Sequence, residues 1–297
     1  MKFYARIAGT LLSLIAILVV GATVYRSFDG IRHSLSSGLF VSTVFGSVLA
    51  YAVLLQLVGL AWHRLLTAAD GPSLGTMQAL VICGRTQIYK YLPSNVLHMV
   101  GRYGFAKKAG VSNKALAFAQ IGELLTIVSA ASVLAVAFAK STLVRALSLY
   151  GYNSQLVDTM IAAVGIAALV IGIVLTARLR TAKISYRMLS ALAIAFVIYV
   201  LFFLGTGLLL TALCKSIISD VGITELIGIG TTAWLVGFVV PGAPGGLGVR
   251  EALLIGGLST LGLSVSDATA VALGYRIVTL AGDAAVAIVF MCIKLQR

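Results

Sequence analysis

Acidic side chains are scarce in this chain: 9 Asp and Glu stand against 22 Lys and Arg, and charged residues make up only 10% of the 297 positions. A soluble domain carries about 25% charged residues, so an ordinary globular protein is excluded. Cysteine is limited to Cys83, Cys214 and Cys292, far apart and in or beside apolar stretches. Such placement builds neither a disulfide framework nor a metal site. The three histidines, His33, His63 and His98, do not cluster and have no carboxylate at metal-ligand spacing. Also missing are a Gly-x-Ser-x-Gly turn and a glycine loop ending in Lys-Ser/Thr, so serine and nucleotide hydrolysis have no motif to rest on. No catalytic set, metal or cofactor is expected. Long polar connectors are lacking too. None exceeds roughly 20 residues, against the ~50 that an independently folding domain needs, which excludes an inserted soluble catalytic or nucleic-acid-binding domain.

What the chain has is apolar length: 60% of it is hydrophobic and its mean hydropathy is +1.06. A spanning helix needs about 20 largely apolar residues. Six runs qualify: Ile7 to Val24, Gly38 to Trp62, Asn113 to Ala139, Val157 to Ala177, Met188 to Leu213 and Ala268 to Ile293. The first follows Lys2 and Arg6 as a secretory signal does, but its apolar run is longer than the usual h-region and no clear cleavage site closes it. It is expected to be a retained span. Basic residues mostly flank the apolar runs. With the N-terminus placed inside, 15 of them fall on the cytoplasmic side and 6 outside, which predicts a multi-pass protein of the cytoplasmic membrane with both termini cytoplasmic. The net charge of +13 is thereby assigned to orientation rather than to nucleic acid.

Two regions do not fit a straight span. Ser73 to Gly110 holds Arg85, Lys90, Pro93, Asn95, His98, Arg102, Lys107 and Lys108, too polar for lipid-exposed helices. Ile223 to Gly262 is broken at its centre by Pro241-Gly242-Ala243-Pro244-Gly245-Gly246-Leu247-Gly248. Proline removes a donor and blocks the preceding turn, while glycine loosens the backbone. Irregular backbone at membrane depth survives only when buried in protein or lining a wet cavity. Each region therefore reads as a helix, a break and a second helix, arranged as a re-entrant hairpin; an amphipathic cytoplasmic loop and an ordinary pair of spans are the alternatives.

The order of span, broken pair and span occurs twice, at 38–139 and 188–293. Pro93 and Arg102 repeat as Pro241 and Arg250 at an offset of 148, and Gly110-Val111-Ser112 and Gly122 repeat as Gly262-Leu263-Ser264 and Gly274 at 152. An odd number of crossings separates the copies, so the second is upside down relative to the first, the pattern of a transporter with its site at the repeat interface. The expected fold is all-α and polytopic: about six full transmembrane helices plus two Pro/Gly-broken re-entrant hairpins in an inverted repeat. The chain forms one membrane domain, with 1–37 leading in, 38–139 as repeat 1, 140–187 as a linking span and 188–297 as repeat 2.

Charges inside the spans mark the candidate site. Glu123, Arg276 and Asp283 each cost about 2.5–3.5 kcal/mol at the bilayer centre, so they must face protein or water. Glu123 and Arg276 fall at nearly equivalent repeat positions, which predicts an ion pair between them and a gating or coupling role for all three. Asn95, His98 and Arg102 have i, i+3, i+7 spacing after Pro93, and Arg85 and Tyr89 are i, i+4 before it, so each set shares a helical face. Gly245, Gly246 and Gly248 lead into Val249-Arg250-Glu251, a glycine turn feeding a helix N-terminus that attracts anions. Arginine adds a fork for phosphate. Arg85, Tyr89, Asn95, His98, Arg102, Gly245, Gly246, Gly248, Arg250 and Glu251 are the expected substrate contacts.

At Tyr91-Leu92-Pro93-Ser94-Asn95 with Gly101-Arg102, and above all at Pro241 to Glu251, the chain resembles the lysylphosphatidylglycerol synthase transmembrane region family, which includes YbhN-like and AglD-like stand-alone membrane proteins. The resemblance covers almost the whole chain, and its more specific element is carried by Pro244, Gly245, Gly246, Gly248 and Glu251. The first-half element departs from the family's Pro-Gly-x-x-Gly-Glu, with Ser94 after the proline and His98 in place of the glutamate. The resemblance implies lipid translocation. The expected activity is a flippase moving an anionic or head-group-modified lipid, such as an aminoacyl-phospholipid or a polyprenyl-phosphate-linked lipid. Expected partners are that lipid and a separate lipid-modifying synthase, with no nucleic acid. An intramembrane lipid-linked glycosyl or phospho transferase, with His98 or Glu251 as base, and a non-transporting partner of a synthase are the competing expectations.

Overall fold

The computed structural model describes residues 36–70, 74–91, 97–138, 185–218, 220–240 and 244–293, with isolated positions between 18 and 32 and at 155 and 159. The expected spans Ile7 to Val24 and Val157 to Ala177 lie outside the described residues, as does Asn95. Among the described residues every regular element is helical.

Among the described residues eight α-helices follow one another: α1 Gly38–Asp70, α2 Thr76–Gln87, α3 Leu97–Lys108, α4 Asn113–Phe138, α5 Tyr186–Lys215, α6 Ile223–Val239, α7 Val249–Thr260 and α8 Val265–Met291. Four of them, α1, α4, α5 and α8, are long and apolar enough to cross a membrane. The protein is thus a multi-pass membrane protein. Between the long helices stand two pairs of shorter ones. A 3-10 turn, Ile88–Tyr91, follows α2, and a second, Pro244–Gly246, precedes α7. Both regions expected to break are interrupted: α2 gives way to a 3-10 turn after Gln87 and α6 ends at Val239, while Pro93 and Pro241 lie outside the described residues.

Local sequence explains the joints. After α3 the Val111 N–H bonds to the Ala106 carbonyl at 3.1 Å, and after α7 the Leu263 N–H bonds to the Leu258 carbonyl at 3.4 Å. In both, the glycine between adopts positive φ, 90° at Gly110 and 93° at Gly262, and Val111 and Leu263 are buried. These are two Schellman stops with their hydrophobic contacts. Each is followed by a serine cap: Ser112 Oγ accepts from the Ala115 N–H at 3.1 Å and Ser264 Oγ from the Asp267 N–H at 3.1 Å, satisfying first-turn donors.

Packing relies on small residues, as helix contacts within a bilayer do. A methyl added at Gly59 of α1 would stand 2.6 Å from the Leu80 side chain of α2, and one at Gly207 of α5 equally 2.6 Å from Ile227 of α6. Gly122 of α4 lies against Leu192 of α5, and Gly274 of α8 against Phe40 of α1. Direction follows from the same contacts. Leu54 meets Gly205, whereas Leu65 and Leu192 converge on Gly122, so α1 and α5 run in opposite senses. Phe40 meets Gly274 and Tyr51 meets Gly282, so α1 and α8 run in the same sense. Large apolar side chains such as Phe45, Leu49 and Val53 of α1 and Leu201 and Leu208 of α5 remain exposed, as expected of surfaces solvated by lipid.

Candidate functional site

The buried charges gather around one cavity of about 130 Å³. On one wall, α3 and α4 supply Arg102 and Glu123. The Arg102 Nη1 donates to Glu123 Oε1 at 2.5 Å, and Arg102 is only 1% exposed. The Tyr199 hydroxyl of α5 stands beside that carboxylate. Gln120, one turn before Glu123, donates instead to the Met99 carbonyl at 3.2 Å, tying α4 to α3.

The opposite wall is built where the two 3-10 turns meet. Lys90 reaches Asp283 of α8 at 2.5 Å, and the Tyr91 hydroxyl donates to the same Asp283 oxygen at 2.5 Å. Asp283 is fully buried beneath them. The Arg276 Nη1 donates to the Gly245 carbonyl at 3.1 Å, its Nε lies 3.3 Å from Glu251 Oε1, and its guanidinium sits 5.4 Å from the Tyr91 ring centre. Glu251 meanwhile accepts from the Gly248 N–H at 2.7 Å, so its carboxylate both stabilises the start of α7 and holds Arg276. Gly245, Gly246 and Gly248 all adopt positive φ, a conformation that residues with a Cβ reach only at a cost. A methyl at Gly245 would also strike the Tyr91 ring, at 2.9 Å.

Arg250 occupies a different setting. It lies 5.6 Å over the Trp234 ring of α6, threaded between Gly237 and Gly246, with no hydrogen-bond partner at its Nε. Trp234 in turn stacks on Phe238 at 5.0 Å.

Of the expected contact residues, His98, Arg102, Gly245, Gly246, Arg250 and Glu251 line the cavity, together with Glu123 and Arg276. Gly248 stands just behind as the residue before α7. The expected pair between Glu123 and Arg276 is corrected: Glu123 takes Arg102 and Arg276 takes Glu251. In each case the nearer partner comes from the short helix packed beside the long one. The expected shared face of Arg85 and Tyr89 is also corrected, because α2 ends at Gln87 and Tyr89 falls in the 3-10 turn. Arg85 turns away to the end of α8, donating to the Phe290 carbonyl at 2.9 Å and to that of Ile293. Lysine and arginine favour such C-terminal carbonyls. Tyr89 packs on Gly101 of α3.

Comparison with family models and with characterised proteins gives no match. The site therefore stands on its geometry. Lys90, Tyr91 and Trp234 were not expected as site residues. Their signal was faint: an aromatic beside each break, and one lysine directly before the first.

Proposed function

We propose that this protein is a flippase-type transporter that carries a lipid with an anionic head group across a membrane. The observation that carries this reading is the cavity: four cationic side chains, Lys90, Arg102, Arg250 and Arg276, face a partly open space among membrane-spanning helices. A polar head group is costly to bring into hydrocarbon, and a polar pocket at that depth lowers the barrier.

Four features support the inverted repeat on which alternating access depends. The two Schellman-and-serine joints have the same form. The contacts of Gly59 with Leu80 and Gly122 with Leu192 have counterparts offset by 147 to 152 residues, in Gly207 with Ile227 and, with the halves exchanged, Gly274 with Phe40. Equivalent helices α1 and α5 run in opposite senses. Tyr51 and Tyr199, 148 residues apart and both buried, face the charged cluster of the other half. The two broken pairs then act as re-entrant hairpins entering from opposite faces, in line with the resemblance of the Pro241–Glu251 segment to flippase-type membrane regions. Asp283, which ties the turn of one half to the last helix of the other, is the point at which the halves separate on opening.

Arg250→Ala is expected to slow transfer of an anionic lipid between leaflets of proteoliposomes at least tenfold. An unchanged rate in folded protein rejects the assignment.

A further inference from the structure

We propose that the cavity binds a lipid-borne phosphodiester monoanion, held by Arg250 and Arg276. The proposal rests on the transport reading only for the setting of the cavity among membrane-spanning helices.

Charge sets the valence. Lys90 is matched by Asp283, Arg102 by Glu123 and Arg276 by Glu251. The fourth cation on the wall, Arg250, has an aromatic face beneath it and, among the described residues, no carboxylate in an ion pair with it. Three pairs and one arginine leave a single positive charge at membrane depth, where an uncompensated charge is expensive. One negative charge offsets it. A dianion overshoots, and a zwitterion or an aminoacylated, net cationic head group brings no net compensation.

Donor geometry sets the chemistry. Arg276 spends Nη1 on Gly245 and keeps Nη2 without a hydrogen-bond partner, while Arg250 keeps its Nε free. Two guanidinium groups with unused donors suit a tetrahedral phosphate, whose oxygens point in several directions, better than a planar carboxylate. Part of the remaining wall is apolar, with Leu124, Ile127, Met99 and Phe238, beside polar groups such as Gln87, Thr206 and Thr279. Leu124 is 41% exposed on the outer face of a spanning helix, so the cavity reaches the surface that lipid covers and an acyl chain can remain there while the phosphate enters. The two halves are unequal here. Arg102, the counterpart of Arg250, is closed by Glu123, which makes one anion site and not two.

The test uses the full chain in detergent with Trp62→Phe. Of the two tryptophans, Trp62 is fully buried in the core, so the remaining fluorescence reports on Trp234. Dihexanoyl phosphatidylglycerol is titrated against the matching phosphatidylcholine, phosphatidate, lysyl-phosphatidylglycerol and octanoate. Phosphatidylglycerol is expected to bind at least tenfold more tightly than each of the others, to lose at least tenfold with Arg250→Gln, and to lose about threefold with Arg250→Lys, which keeps the charge and guards against a folding defect. Binding of any competitor within threefold of phosphatidylglycerol, or affinity unaltered in Arg250→Gln, overturns the site. Transfer measured on the same preparation separates the two readings. Selective binding without transfer removes the transporter and keeps the site; transfer with no charge preference keeps the transporter and removes the site.

Discussion

Arg102 and Glu123 show what a buried ion pair costs to open. Neither side chain has water to turn to, since Arg102 is 1% exposed and Glu123 5%. Removing one partner strands the other, and such losses amount to about 3–5 kcal/mol, whereas replacing both with apolar groups of similar volume is often close to neutral. Glu123→Gln should therefore lower the unfolding temperature in detergent sharply, and the double change Arg102→Met with Glu123→Leu should recover most of it. Equal losses in the single and double variants would show that the pair is not the source. The spacing of His98 and Arg102 was legible in the sequence, and so was the burial that a charge inside a span demands. The choice of partner was not, because the repeat offset placed Glu123 opposite Arg276 while the folded chain offers each a nearer group.

At the level of helices, stability depends on close approach at small residues. A methyl at Gly84 would stand 2.1 Å from the Phe290 ring, so α2 and α8 cannot stay at their present distance if it is added. Gly46 on α1 has nothing within 4 Å, and alanine there removes the roughly 1 kcal/mol by which glycine weakens a helix interior. The two substitutions should move the melting temperature in opposite directions, down for Gly84→Ala and unchanged or up for Gly46→Ala. A common sign would mean that the contact does not limit packing. Among the described residues the four long helices could be read from hydropathy, although α1 runs on to Asp70 where the apolar run suggested Trp62. The 3-10 turn that moves Tyr89 off the face of Arg85 could not, since Gln-Ile-Tyr-Lys-Tyr carries no breaker of its own.

The whole molecule turns on the relation between its halves. Thr76 and Thr224 are exposed first-turn residues of α2 and α6, 148 positions apart. If the halves are inverted copies, a membrane-impermeant thiol reagent should reach Thr76→Cys and Thr224→Cys from opposite sides of sealed vesicles, with exposed Cys292 changed to Ser so that it does not compete. Labelling from one side only would leave the contact symmetry without a topological meaning and remove the basis for alternating access.

Hydropathy alone determined that this is a helical membrane protein, because about 20 apolar residues in a row have one comfortable solvent, and proline and glycine alone predicted that two of its helical regions are interrupted. Which charge meets which, that Arg85 caps a distant helix, and that Arg250 faces the cavity without an ion-pair partner among the described residues were decided only by the tertiary structure. Those outcomes depend on distances of a few ångströms between helices far apart in the chain, and in a low-dielectric interior such distances govern the energy of every charge.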